Sequence, residues 1–157
     1  MISLKKRASS GFTIVELLIV IVVIGILAAL VVTTYNGIQK KARDTERKTD
    51  INALHGQIEA YEAENGKYPS LGEINEDASH VGWRSTYMKG LDPAALKDPN
   101  GSASTLATSP AANVYSYEVT PVGCDNGDGG GTGGDCTAYT LTATLEQGGT
   151  YQKQSLN

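Results

Sequence analysis

Apolar and polar positions along this chain fall into three successive regimes. From Phe12 to Val32 the sequence is apolar apart from Thr13, Glu16 and Gly25, and Leu17 to Val32 carries no charge and no side-chain hydrogen-bonding group. A helix over this run reaches roughly 32 Å, enough to cross a bilayer core. From Ile38 to Asn65 the composition turns to Lys, Arg, Glu, Gln and Ala, which form helices readily. Here Ile51, Leu54, Ile58 and Tyr61 recur at helical spacing as one apolar stripe, and Asp44 and Lys48 are spaced to pair. No proline occurs between Phe12 and Pro69, and Asn65-Gly66 marks a helix end. The pattern predicts one nearly continuous helix from about Phe12 to Asn65, oily all round in its first half and one-sided in its second. The third regime has period two. Tyr115, Tyr117 and Val119 alternate with polar residues, as do Tyr139, Leu141, Ala143 and Leu145, and Gln147-Gly148-Gly149 turns the chain into a last strand near Thr150–Leu156.

The predicted fold class is therefore α+β. A long N-terminal helix, with a transmembrane half and an amphipathic half, packs on a small antiparallel sheet. The expected divisions are 1–11, 12–36, 37–66 and a head over 67–157, itself split into a link (67–113) and a sheet (114–157). Within the link, Ser70-Leu71-Gly72-Glu73 has capping-box spacing, Asp92-Pro93 starts a helix, and Lys97-Asp98-Pro99-Asn100-Gly101 forms a turn. Residues 101–113 are rich in Ser, Ala, Thr and Gly and are expected to be a mobile loop. Trp83 and Met88 are expected to pack.

Composition narrows the function. The 157 residues carry 13 basic and 17 acidic side chains, a net charge of −4, which disfavours bulk nucleic-acid binding. Two histidines and two cysteines are too few for a dedicated four-ligand zinc site unless both types combine. His55 and His80 join no nucleophile or paired-carboxylate pattern, so no enzyme is expected.

The N-terminus carries the sharpest signal. Lys5, Lys6 and Arg7 precede the apolar run without an acid among them. The run suits a simple anchor, a secretory signal peptide, or the retained part of a chain whose leader is removed before it. A secretory h-region spans only about 7–15 residues, shorter than this one. Glu16 bears on the choice. An isolated carboxylate in hydrocarbon costs about 2.5–3.5 kcal/mol or more, and the nearest basic residue, Arg7, lies nine positions away. Cleavage between Gly11 and Phe12 would create an α-amino group, and that amine on a neighbouring subunit is a natural counter-ion for Glu16.

Gly11-Phe12-Thr13-Ile14-Val15-Glu16, after a basic leader and before an apolar run, resembles the class III signal of the type IV pilin and pseudopilin family. The resemblance implies cleavage after Gly11 by prepilin peptidase, N-methylation of Phe12, and a role for Glu16 in steering assembly. Tyr61-Glu62-Ala63-Glu64-Asn65-Gly66-Lys67-Tyr68-Pro69 resembles the stretch that ends the helix in the same family. Gly25 and Ala29 form a small-xxx-small pair suited to close helix approach. Many pilins have a proline where this chain has Thr33; its absence, with Gly37 as another weak point, bears on whether the helix loosens in a filament.

Cys124 and Cys136 allow one pairing. Flanking a glycine-rich loop outside a reducing cytosol, they are expected to form a disulfide, worth on the order of 3 kcal/mol in the chain-entropy model. It resembles the cysteine-bounded loop of many pilins. Asp125, Asn126, Asp128 and Asp135 offer oxygen ligands for calcium, although their order fails the EF-hand pattern.

The leading expectation is a type IV pilin subunit: made in the inner membrane with its head outside, and polymerised into an extracellular filament. Its expected partners are copies of itself, prepilin peptidase, the inner-membrane assembly platform and minor pilins. The alternative is a pseudopilin of a type II secretion or competence machine, which shares the cleavage and assembly chemistry.

Overall fold

A computed structural model of the chain describes residues 11–127 and 133–157. It is α+β, with a long N-terminal helix and a three-stranded antiparallel sheet. Helix α1 (Ile14–Asn65) covers 52 residues, so the predicted helix forms almost to its predicted limits. The chain divides into two compact units, Met1–Gln39 and Lys40–Asn157.

In the first unit the helix is unbroken through Gly25, Thr33 and Gly37. Thr33 and Thr34 both turn their hydroxyls back onto the Leu30 carbonyl (2.9 and 3.0 Å), satisfying their polar groups within the helix. Every large apolar side chain from Phe12 to Val32 is 48–87% exposed. The segment is long and apolar enough to cross a membrane.

In the second unit the apolar stripe works as its spacing requires. Ile51, Leu54, Ile58 and Tyr61 are at most 5% exposed and pack with Tyr68, Ile74, Trp83, Met88, Leu96, Leu106, Tyr115, Tyr117, Tyr139, Leu141 and Ala143. Gly66 ends the helix at φ 71°, a conformation that costs glycine little. Strands β1 (Ser116–Thr120), β2 (Ala138–Thr144) and β3 (Thr150–Gln154) pair in sequence order, with Tyr117 opposite Leu141 and Ala143 opposite Tyr151. The alternation puts Tyr117, Tyr139, Leu141 and Ala143 in the core.

The link holds two short helices and a turn. Helix α2 (Leu71–Asn75) starts at the predicted capping box: Ser70 Oγ accepts the Glu73 N–H, and the Glu73 carboxylate accepts the Ser70 N–H. The Asp92 side chain caps a 3-10 turn over Pro93–Leu96. Helix α3 (Trp83–Tyr87) was not foreseen; its N-cap, Gly82, supplies no side-chain signal. Trp83 and Met88 pack in the core as expected.

Two expectations are corrected. Residues 101–113 lack regular structure but are tied down at their centre. Leu106 is buried and exchanges two hydrogen bonds with the Asn75 side chain, while Ala107 bonds to Tyr115 and Tyr117 across a short parallel bridge. One apolar residue and one asparagine on another element anchor the segment, and its composition shows neither. Asp44 does not pair with Lys48. It turns inward to Arg47, while Lys48 lies over the Tyr151 ring at 5.9 Å.

That turn inward belongs to a buried ionic lock. The core-facing stripe of α1 extends back through Arg47 and Asp44, which are 0% and 5% exposed. Arg47 donates twice to Asp98 (2.7 and 2.9 Å), and to Asp44 (2.8 Å) and Glu146 (2.9 Å). Arg43 donates twice to Glu146 (2.6 and 2.7 Å). Asp44 also accepts the backbone N–H groups of Glu146 and Gln147. One guanidinium thus joins the helix, the turn after the 3-10 segment and the turn between β2 and β3. The planar fork of arginine suits this bidentate geometry, and lysine could not reproduce it. Hydrogen bonds to Asp98 hold the Arg47 guanidinium in its charged form against the cost of burial. The Arg43 hydrogen bonds bring the Glu146 carboxyl down to about 2. For Asp44, burial works against ionisation, but the two backbone donors and Arg47 outweigh it and lower its pKa.

Candidate functional site

The sequence directs attention first to Gly11–Glu16, where the structure adds an unforeseen contact. Glu16 Oε2 accepts hydrogen bonds from the Thr13 backbone N–H (2.8 Å) and hydroxyl (2.7 Å), and the Glu16 N–H donates to Thr13 Oγ1 (3.2 Å). Thr13 and Glu16 form a reciprocal cap at the start of α1. The Thr-x-x-Glu spacing at a helix start is the sequence signal for this cap. The carboxylate therefore has polar partners within its own chain, though among the described residues none is a cation.

Gly11 is informative for a different reason. A Cβ added there would meet no atom within 4 Å, and its φ lies outside the range that favours glycine. Nothing in this fold requires glycine at position 11. Phe12 is 87% exposed. Gly25 likewise has open space around it within the single chain.

Cys124 and Cys136 form a disulfide with Cα atoms 5.2 Å apart. Asn126, inside this loop, is 6% exposed and acts as a polar pin. Its Nδ2 donates to the Tyr68 carbonyl (2.9 Å) and to Glu73 (2.6 Å), and its Oδ1 accepts the Cys136 N–H (3.0 Å). The loop is thereby fastened to the start of α2 and to the chain leaving α1.

Three of the four residues considered for calcium, Asp125, Asn126 and Asp135, lie within the described residues, and each already has partners in the fold. The Asn126 side-chain oxygen already accepts the Cys136 N–H. Asp125 caps the Gly127 N–H, and Asp135 faces Lys67 Nζ at 3.4 Å. Asp128 lies outside the described residues, as does the leader before Gly11. Among the described residues, no group of three or more His, Cys, Asp or Glu side chains is placed to hold a metal ion.

An oily N-terminal helix continuing into a small α+β head, with a cleavage-type hexapeptide at its start, defines the class: a pilin-like subunit. Comparison with known proteins refines this. The family model "Prokaryotic N-terminal methylation motif" matches residues 6–32, and "Type II secretion system (T2SS), protein G" matches residues 34–138. The chain is 31% identical over 148 residues to the type II secretion system core protein G of Vibrio cholerae, covering 87% of this chain and 96% of the relative. It is 31% identical to the Pseudomonas aeruginosa protein of that name, covering 93% and 92%. Against the Aeromonas hydrophila protein of that name it is 42% identical over 67 residues, covering 43% and 47%. No solved structure matches. The chain belongs to the type II secretion system protein G family, pseudopilins within the type IV pilin family. Of the two expectations drawn from the sequence, the pseudopilin fits these relatives better than the surface pilin.

Proposed function

We propose that this protein is the repeating subunit of a filament in a type II secretion machine. It is anchored in the inner membrane by its N-terminal helix until prepilin peptidase cuts between Gly11 and Phe12 and Phe12 is N-methylated. The subunits then assemble through residues 12–36, and the growing filament serves as the moving part of the machine. The role is mechanical rather than enzymatic.

The observation that carries this reading is the contrast along α1. Its first part exposes an unbroken apolar surface, whereas its second part is fixed to the head by a closed core and the Arg47 lock. An apolar surface this large needs a lipid or protein partner. The glycine at position 11, which the fold does not need, is explained if a peptidase reads it.

Deleting the chain from its host tests the proposal. Proteins exported by the type II route are expected to accumulate inside the cell, and secretion is expected to return with the wild-type chain but not with Gly11→Val. Undiminished secretion in the deletion strain would remove the assignment to this machine.

A further inference from the structure

Beside α3 lies a recess of about 350 Å³ whose lining includes Tyr61, Glu73, His80, Trp83 and Tyr87. Two of these residues carry a buried polar atom without a hydrogen-bond partner among the described residues: Glu73 Oε1 and His80 Nε2. Glu73 is fully buried. Its other oxygen, Oε2, accepts from the Ser70 N–H and from Asn126 Nδ2, both at 2.6 Å. His80 Nδ1 lies 2.7 Å from Asp77 Oδ1. A carboxylate only accepts, so Nδ1 carries a proton, and in the neutral imidazole Nε2 presents a lone pair. With the ring in that form, both unpartnered atoms are acceptors. Burying an acceptor unpaired is costly, and here both residues border one recess.

The opposite wall is aromatic. Tyr61, Trp83 and Tyr87 contact one another, with ring centroids 5.0–5.6 Å apart. Tyr87 remains 48% exposed at the rim. Ring faces attract cations, and a buried carboxylate does the same. Two acceptors beside aromatic rings suit a compact organic cation with several N–H donors. They do not suit a hard metal ion, which takes about six or more oxygen ligands.

We propose that this recess binds an alkylammonium group, the chemistry of a lysine side chain. The inference rests on the head alone and does not depend on the secretion assignment. A lysine of a neighbouring copy, a lysine of another protein or a free amine would each present the same group.

Trp83 is the chain's only tryptophan and reports on the recess directly. The full-length protein in detergent is titrated with n-butylammonium chloride, with n-butanol and potassium chloride at matched ionic strength as comparisons. Fluorescence is expected to change saturably with the amine alone, with half-saturation on the order of millimolar for so small a ligand. Tyr87→Ala should weaken binding about threefold through the lost ring face. Glu73→Gln should weaken it about tenfold. Because Glu73 also holds Asn126, His80→Phe serves as a second variant that leaves that contact in place. A response shared by butanol or potassium, or an amine response unchanged in all three folded variants, would mean that the recess is merely hydrated and would overturn the proposal.

The source of the group is read from assembled filaments treated with a carbodiimide. The reagent activates the Glu73 carboxylate, and lysine Nζ displaces the activating group as a urea to leave an amide. A linked peptide joining Glu73 to a lysine of this same chain assigns a neighbouring copy. One joining it to a foreign lysine assigns another protein. Saturable amine binding without either link assigns a free amine.

Discussion

Replacing Arg47 with alanine is expected to destabilise the head by about 3–5 kcal/mol, because it leaves Asp98 and Asp44 buried without their counter-charge. Domains of this size hold only about 5–15 kcal/mol in total, so the variant should melt far below the wild type. The loss comes mostly from stranded carboxylates rather than from the bond energy of the pair. Asp98→Ala in the Arg47→Ala background should therefore cost less than Asp98→Ala alone, and a double-mutant cycle of melting curves reads this directly. Purely additive losses would show that Arg47 and Asp98 are not coupled. The same lock sets an acid limit. Glu146 titrates at about 2 in the folded head against an ordinary 4.5, and the Asp44 pKa is also lowered. A group with a depressed folded pKa contributes stability above its unfolded pKa and loses it as pH falls towards the folded one. The melting temperature is expected to hold above about pH 5 and to fall progressively between about pH 4.5 and 2. Asp50 works in the opposite sense, since burial raises its pKa despite the Tyr115 hydrogen bond, but it is one group against the lowered Asp44, Glu76, Asp77 and Glu146.

Glu16→Gln is expected to insert and fold normally yet to enter filaments very poorly. Glutamine at this position can keep the reciprocal cap with Thr13, because a capping box accepts Gln as well as Glu. Only the charge is removed. If Glu16 pairs with the Phe12 amine of a neighbouring subunit, its loss strands that amine in an apolar bundle at a cost of about 3 kcal/mol, roughly a hundredfold in the assembly equilibrium. Glu16→Ala loses both cap and charge and should do no better. Cross-linking of filaments and counting of incorporated subunits distinguishes the two roles. Normal incorporation of Glu16→Gln with failure of Glu16→Ala would reduce Glu16 to a helix cap.

Much of the fold was legible because it rests on periodicity. The 52-residue helix, the Ile51–Tyr61 stripe, the capping box at Ser70 and all three strands follow from spacings within a few residues. What escaped depends on residues far apart in sequence. Arg47 reads as one more charge on a polar helix until Asp98 and Glu146 are brought to it from 51 and 99 positions away. Leu106 sits in a stretch that looks like loop until Asn75 meets it. Asn126 reads as a flexible or ligating residue until Tyr68, Glu73 and Cys136 satisfy its amide. The Thr13–Glu16 cap differs, since its spacing is local. The site separates in the same way. Gly11, Phe12 and Glu16 stand out in the sequence because their pattern is local, whereas the difference between a pseudopilin and a surface pilin is carried by the whole chain and emerged only against full-length relatives.

The central claim is that the apolar segment is retained and a leader is removed in front of it. Mass spectrometry of the N-terminal peptide, from protein made in its native host, tests this most directly. The expected result is a peptide that begins at Phe12 and carries an N-methyl group. A peptide that retains the residues before Gly11, or one that begins after Val32, would contradict it.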